Sequence, residues 1–340
     1  MDPLTQGLIG ATAARSSVAG DMPRAGWIGL IAGMAPDLDV FIRSETDPLL
    51  AVEYHRHFTH ALAFIPIGGL LCALPWLLLP SLRERWREVL IASTAAMATH
   101  GLLDSATTYG TQLFWPFSTY RAAWDWISII DPVFTLVLLL GVLIAFLRKS
   151  RVPALISLAC AVAYLALGAW QNQRALAAQH QVANLRGHAI ERGQAFPTIG
   201  NLLVWRSLYE ANGHFYSDRI RVSLTGDILW TEGQQVRSVR LDDLPAPWAD
   251  HPMAGEDFQR FAWFSDQWVA ASQDEPGLFG DARYSLQTAV YDPIWGIRFD
   301  PHRQRPTEWV SRTPERKLNW SGLWQEIKGT DPAYQPLPTP

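Results

Sequence analysis

Between Arg56 and Arg83 the chain carries no formal charge, only His57 and His60. The same silence recurs from Glu88 to Asp104, from Asp131 to Arg148 and from Arg151 to Arg174. These stretches constrain the fold more than any other feature, because a run of about 20 apolar residues suffices to cross a bilayer. The apolar segments they contain are Ala61–Pro80, Val89–Leu103, Pro132–Leu147 and Pro153–Trp170. The first and fourth reach the length of a span. The second and third are shorter, and read as spans because they are paired and uncharged. One such segment alone could be the buried helix of a globular core. Four in succession predict an α-helical multi-pass membrane domain over residues 1–175. A weaker segment, Ala25–Ala35, is too short to span by itself.

The mean hydropathy of +0.01 conceals this pattern because it averages two unlike halves. Of the 28 Lys+Arg and 32 Asp+Glu, residues 1–175 hold 12 of each, so the net charge of −4 belongs to the second half. That balance excludes a basic nucleic-acid binder, and 2 Cys exclude a disulfide-stapled fold. Arg83, Arg85 and Arg87 separate the first two segments, and Arg148, Lys149 and Arg151 the last two. The positive-inside rule places both loops in the cytoplasm. Residues 104–131 and everything after Trp170 are then expected outside, which in a bacterium is the periplasm. Met1-Asp2-Pro3 lacks the positive start of a cleavable signal.

Beyond Trp170 the texture changes. Gln171–Arg192 has helical spacing, giving an expected linker helix over 176–195. Alternation over Leu202–Tyr209, His214–Ser223, Gln235–Leu241, Arg283–Val290 and Ile294–Phe299 predicts strands, and the aromatics of Phe258–Val269 predict a helix. Residues 196–340 are therefore read as a small α+β or mostly β soluble domain. Pro332–Pro340 is expected to be a frayed tail.

The informative ionisable residues gather at the edges of the apolar segments. Asp37 and Asp39 close the segment ending Ala35-Pro36. His55-Arg56-His57-Phe58-Thr59-His60 precedes the first long segment. His100, Asp104 and Thr108 share one helix face, and Asp131 stands before Pro132. Singly, each has an ordinary role: Asp37 and Asp39 as turn residues, Asp131 as a helix N-cap, His55 and His57 as interfacial side chains. His100 resists that treatment, since an ionisable group inside an apolar segment is costly and marks function by default. Jointly, imidazole and carboxylate are ligands for zinc, manganese or iron. The candidate ligands are Asp37, Asp39, His55, His57, His60, His100, Asp104 and Asp131. More than four candidates points to one to three ions, zinc foremost. A metal pair about 3.5–4 Å apart would activate water and clamp a phosphoryl oxygen. Asp37, Asp39 and Asp104 are the candidate bridges. Arg56 is a candidate phosphate clamp, with interfacial snorkelling as its alternative.

At these residues the sequence resembles the bacterial membrane-bound, metal-dependent hydrolases of the YdjM-like inner-membrane family. The resemblance is carried by Met1-Asp2-Pro3-Leu4-Thr5-Gln6-Gly7, Gly33-Met34-Ala35-Pro36-Asp37-Leu38-Asp39, the His55–His60 run, His100-Gly101-Leu102-Leu103-Asp104 and Tyr109–Phe117. It covers about residues 1–170. It implies a divalent metal, hydrolase activity and a distant relation to zinc-dependent phospholipase C and P1-type nucleases. Position by position, it implies Asp37, Asp39, His57, His60, His100 and Asp104 as ligands. Many relatives have His where this chain has Gln6, which could instead orient a metal-bound water.

Two functions follow as expectations. One is a membrane metallohydrolase cleaving a phosphoester of a lipid or envelope component, with Asp104, Arg56 and Gln6 in the chemistry and membrane lipids as partners. The other is a non-enzymatic metal-binding membrane protein or permease-like subunit. No dinucleotide-binding Gly-x-Gly-x-x-Gly, Walker loop or Gly-x-Ser-x-Gly elbow points to a different chemistry.

Overall fold

The computed structural model describes residues 1–18, 22, 24–273, 275–285, 289–300, 305–313 and 319–338. The chain forms two compact units. Unit 1 comprises Met1–Ile42 and Tyr54–Ala169, and unit 2 comprises Arg43–Glu53 and Trp170–Pro340.

Unit 1 is helical. Helix α1 (Pro3–Ser17) starts on Asp2, whose carboxylate accepts the Thr5 N–H at 3.0 Å, with Pro3 at the position that needs no amide. It packs backbone to backbone against α2 (Ala25–Met34). A Cβ on Gly10 would lie 2.4 Å from the Gly29 carbonyl oxygen, and one on Gly33 would lie 2.6 Å from that of Gln6. Small residues at this crossing replace side-chain packing with close helix approach. After α2 come a 3-10 turn, Ala35–Phe41, and, beyond α3 (Leu50–Tyr54), whose residues 50–53 belong to unit 2, two more 3-10 turns at Phe58–His60 and Leu62–Phe64. Helices α4 (Ile65–Ala73), α5 (Pro80–Arg83), α6 (Trp86–Ser105) and α7 (Pro132–Leu147) follow, and then α8 (Val152–Leu185), of which residues 152–169 belong to unit 1 and 170–185 to unit 2.

The expected multi-pass domain is not what forms. Among the described residues, one helix, α8, is long and apolar enough to cross a membrane; a second counts only if the pair Leu50–His60 and Leu62–Leu78, bent by 57°, is one span. The physical reasons differ by segment. Pro66, Pro75 and Pro80 break Ala61–Pro80 into α4 and a 3-10 turn at Leu74–Leu78, since proline removes a helix donor. Helix α6 has 20 residues but buries Ser93, His100 and Asp104, spending its length on a polar interior. Helix α7 has 16 residues, about 24 Å, against a hydrocarbon core of about 30 Å.

Unit 2 is built on antiparallel sheets. One has the order β1-β2-β3-β4-β10, with β5 also paired to β3; the other has the order β6-β7-β8-β9. The strands are β1 (Arg192–Pro197), β2 (Val204–Ala211), β3 (His214–Val222), β4 (Ile228–Thr231), β5 (Gln235–Arg237), β6 (Val269–Ala271), β7 (Leu278–Asp281), β8 (Trp295–Phe299), β9 (Thr307–Ser311) and β10 (Gln335–Pro336). The β2–β3 hairpin turns on Asn212-Gly213, both at positive φ, the geometry that matches strand twist.

The predicted strands at 202–209, 214–223, 235–241 and 294–299 correspond to β2, β3, β5 and β8. The predicted helix at 258–269 lies earlier, as Pro252–Phe264. Of the predicted strand Arg283–Val290, residues 286–288 lie outside the described residues, as do 339–340 of the expected tail. The rest of that tail is anchored by β10. Where a linker helix was expected over 176–195, α8 ends at Leu185 and β1 begins at Arg192. The last turns of α8 are core rather than linker: Ala175, Ala178 and Val182 pack with Trp205, Ile220 and Val222. Gln171 and Gln179 donate to strand carbonyls.

Candidate metal centre

Four of the eight candidate ligands meet in unit 1. Asp37, His60, His100 and Asp104 present one donor atom each, all within 4.8 Å of one another. Asp37 comes from the turn after α2, His60 from the turn at Phe58–His60, and His100 and Asp104 from one face of α6. Gly101 lets α6 approach that turn, since a Cβ there would stand 2.1 Å from the His60 carbonyl oxygen.

Each imidazole is fixed from behind. His100 Nδ1 lies 2.6 Å from the Gly33 carbonyl oxygen, which can only accept, so Nδ1 carries the proton. His60 Nδ1 lies 3.2 Å from the Asp39 carboxylate and 3.0 Å from the Thr59 hydroxyl. Carboxylate and carbonyl partners of this kind set the tautomer of metal-binding histidines. The two Nε2 atoms face each other inside the cluster, 2.9 Å apart. Burial lowers His60, but its hydrogen bonds with Asp104, Asp37 and Asp39 raise it to about 10, so a bound cation would take the place of a proton there.

The other spacings describe where it would sit. His60 Nε2 is 3.5 Å from Asp37 Oδ1 and 3.2 Å from Asp104 Oδ2; His100 Nε2 is 3.4 and 3.6 Å from the same atoms. A tetrahedron with about 2.0–2.1 Å from centre to vertex has edges of about 3.3–3.4 Å. Asp104 Oδ2 is buried and faces both the Arg56 Nε, at 3.1 Å, and His60 Nε2, so an ion at the cluster would share this oxygen with the guanidinium. The donor set of two imidazoles and two carboxylates suits zinc, iron or manganese.

The electrostatics favour a cation. Burial pushes the Asp37 carboxyl up, but hydrogen bonds from His100 and His60, when these are protonated, hold it below the usual range. Asp39 is likewise pushed up by burial and held low by His55 and His60. Burial also raises Asp104, and the charges of Arg56 and the Met1 amine bring it well below. Three carboxylates thus stay ionised, opposed by the Arg56 guanidinium beside Asp104 and by His60 while it holds its proton.

The remaining predicted site residues fall elsewhere. Asp39 is buried one layer out, accepting from His55 Nδ1 at 2.8 Å, the Arg56 N–H at 2.9 Å and the Thr59 hydroxyl at 2.9 Å. Asp39 and His55 are therefore supports for His60, not members of the four-donor set. His57 lies among the rings of Tyr54, Phe58 and Trp115. Asp131 caps α7 through the Phe134 N–H and accepts the Tyr164 hydroxyl. The four donors account for one ion, where up to three were expected. Arg56 is 4% exposed, its Nε 3.1 Å from Asp104 and its Nη1 2.8 Å from the Thr107 hydroxyl, over the Tyr109 ring. It neutralises Asp104 rather than standing ready as a phosphate clamp. Its φ of +63° is rare for a residue with a side chain and is held by the bonds around it. Gln6 donates to Asp104 Oδ1 at 2.8 Å. Sequence reading missed Gly33, Thr59 and Thr107. Only Gly33 carried a signal: it lies in the last turn of α2, where carbonyls lack helical partners.

A profile of the YdjM inner membrane protein family matches residues 1–175, which include every residue of this cluster. The chain belongs to the YdjM inner membrane protein family. It is also 35% identical over 116 residues to the inner membrane protein YbcI of Escherichia coli (strain K12), covering 32% of this chain. That match spans 63% of the relative's length. No solved structure matches. Membership places the protein in the inner membrane, in keeping with the exposed leucines of α7 and the apolar start of α8. The curated likeness covers less than the family match, so what members do is not carried over with it.

Proposed function

We propose that Asp37, His60, His100 and Asp104 hold one divalent metal ion, zinc foremost, and that the protein is an inner-membrane metal-dependent hydrolase of phosphoesters. The observation that supports the metal is the convergence of two imidazole nitrogens and two carboxylate oxygens within 4.8 Å of one another, with His100 Nδ1 donating to the Gly33 carbonyl and His60 Nδ1 facing Asp39. Bound there, the ion would supply Lewis acidity and a more acidic water. His60, His100 and Asp104 are buried, whereas the Asp37 side chain is 21% exposed, so solvent and substrate reach the centre along Asp37. Arg56 keeps Asp104 ionised, and Gln6 fixes its second oxygen. The phosphoester class is the expectation that the resemblance in the motifs implies, and the hydrolysis assay below tests it.

The donor count favours a second reading. Four protein ligands fill a tetrahedral shell, the pattern of structural zinc, whereas catalytic zinc commonly keeps a position for water. On that reading the ion stabilises unit 1 and the protein is a non-enzymatic metal-binding membrane protein.

One experiment addresses both. Full-length protein in detergent is assayed for metal content and for hydrolysis of bis(p-nitrophenyl) phosphate, beside His100→Ala and Asp104→Asn. About one ion per chain, lost in both variants together with hydrolysis, is the expected result. Full metal content without hydrolysis supports the structural reading. Metal content unchanged in His100→Ala overturns both.

A further inference from the structure

Unit 1 also contains a cavity of about 690 Å³. Its wall includes Ile31 of α2, Pro36 and Leu38 on either side of Asp37, Thr59, and Leu71 and Cys72 of α4. The polar side-chain groups in that wall are the Thr59 hydroxyl, the Cys72 thiol and the Trp76 indole N–H. Thr59 belongs to both places: it lines the cavity and donates to Asp39, the carboxylate behind His60. The apolar space and the cluster thus adjoin at the turns Ala35–Phe41 and Phe58–His60, whose residues Pro36, Leu38 and Thr59 line the one while Asp37 and His60 belong to the other.

We infer that this cavity receives an acyl chain of a membrane phospholipid whose phosphoester lies at the cluster. The inference rests on the metal-hydrolase reading and adds the substrate class. The volume falls within the usual range of ligand sites, roughly 300–1,000 Å³. A peptide is a poor occupant, because its backbone would find almost no hydrogen-bond partners on these walls. A hydrocarbon chain asks for none. The amphiphile that matches an apolar cavity beside a cation site is one with an anionic head and a hydrocarbon tail. The inner membrane, where the family places this protein, is composed of such molecules.

Cys72 supplies a reporter, since it is a half-buried free thiol in the wall. The exposed Cys160 is removed by Cys160→Ser. Full-length protein in amphipol is treated with a maleimide, and the rate of Cys72 modification is followed with methyl, octyl or dodecyl phosphate, or dodecanol. Dodecyl phosphate is expected to slow modification at least tenfold. The protecting concentration should fall by up to roughly fourfold per added methylene. Dodecanol should protect less well, and Asp104→Asn should erase that difference. Leu71→Trp, at an exposed position on the cavity wall, should abolish protection; Ile31→Trp serves if the first variant folds poorly. No chain-length dependence, or equal protection by dodecanol in the unsubstituted site, overturns the inference. Metal content measured on the same samples shows separately whether the underlying metal reading stands.

Discussion

Asp37 and Asp39 sit two residues apart in one turn, yet the structure gives them different work, and Asp39→Asn tests that difference. Asp39 Oδ2 accepts from the Arg56 N–H and the Thr59 hydroxyl at 2.9 Å each and lies 3.2 Å from His60 Nδ1, while Oδ1 meets His55 Nδ1 at 2.8 Å. Asparagine retains one acceptor oxygen, which can take the Oδ2 position. Its amide then faces His55, whose ring can present a lone pair by changing tautomer. The turn keeps its bonds, but His60 loses the negative charge behind it. Loss of such a supporting partner typically lowers metal affinity 10- to 100-fold, about 1.4–2.7 kcal/mol. The assay is zinc competition against a chromophoric chelator, using full-length protein in detergent, with circular dichroism as the folding control. Asp37→Asn, which removes a donor outright, should cost more. If Asp39→Asn binds zinc within twofold of the unsubstituted protein, or loses more than Asp37→Asn, the assignment of Asp39 as support and Asp37 as ligand is wrong.

Three further outcomes follow. Gly101→Ala would set a Cβ 2.1 Å from the His60 carbonyl oxygen; overpacking of this kind costs about 1–3 kcal/mol, and both melting temperature and zinc affinity should fall. Asp131→Ala removes the α7 cap, with an expected cost of about 1 kcal/mol and no change in zinc content, and a loss of zinc would return Asp131 to the ligand set. In unit 2, burial raises the Asp47 carboxyl but its bonds to Arg260 and Leu49 and the nearby Arg305 bring it below the ordinary range. Because the folded-state value is depressed, its contribution is present at neutral pH and lost as pH falls through that value. Urea melts of the full chain should therefore show Asp47→Asn less stable at neutral pH, with the difference closing in acid; a gap that widens in acid contradicts the sign.

The site was legible in the sequence to the extent that its chemistry is local. His100 and Asp104 share a face because a helix brings i and i+4 together, and an aspartate before proline is a cap wherever an apolar helix follows. His60 could not be told from His55 and His57 by spacing, because the backbone between them is irregular and Arg56 turns through positive φ. That one residue aims His55 and His60 toward Asp39 and leaves His57 with the aromatic rings. The four apolar segments were equally visible, yet composition alone did not reveal where prolines would break them or which would spend polar groups on an interior.

By itself the sequence determined the division between a helical first half and a strand-rich second half, since hydrophobic periodicity and turn residues act over a few neighbours. It also determined the inventory of metal-capable side chains. The tertiary structure decided which of them meet. Only the crossing of α1 on α2, the approach of α6 to the His60 turn at Gly101, and the Gly33 carbonyl behind His100 bring four donors within 4.8 Å of one another. Those contacts join residues as many as 67 positions apart, and no local rule encodes the packing that closes such distances.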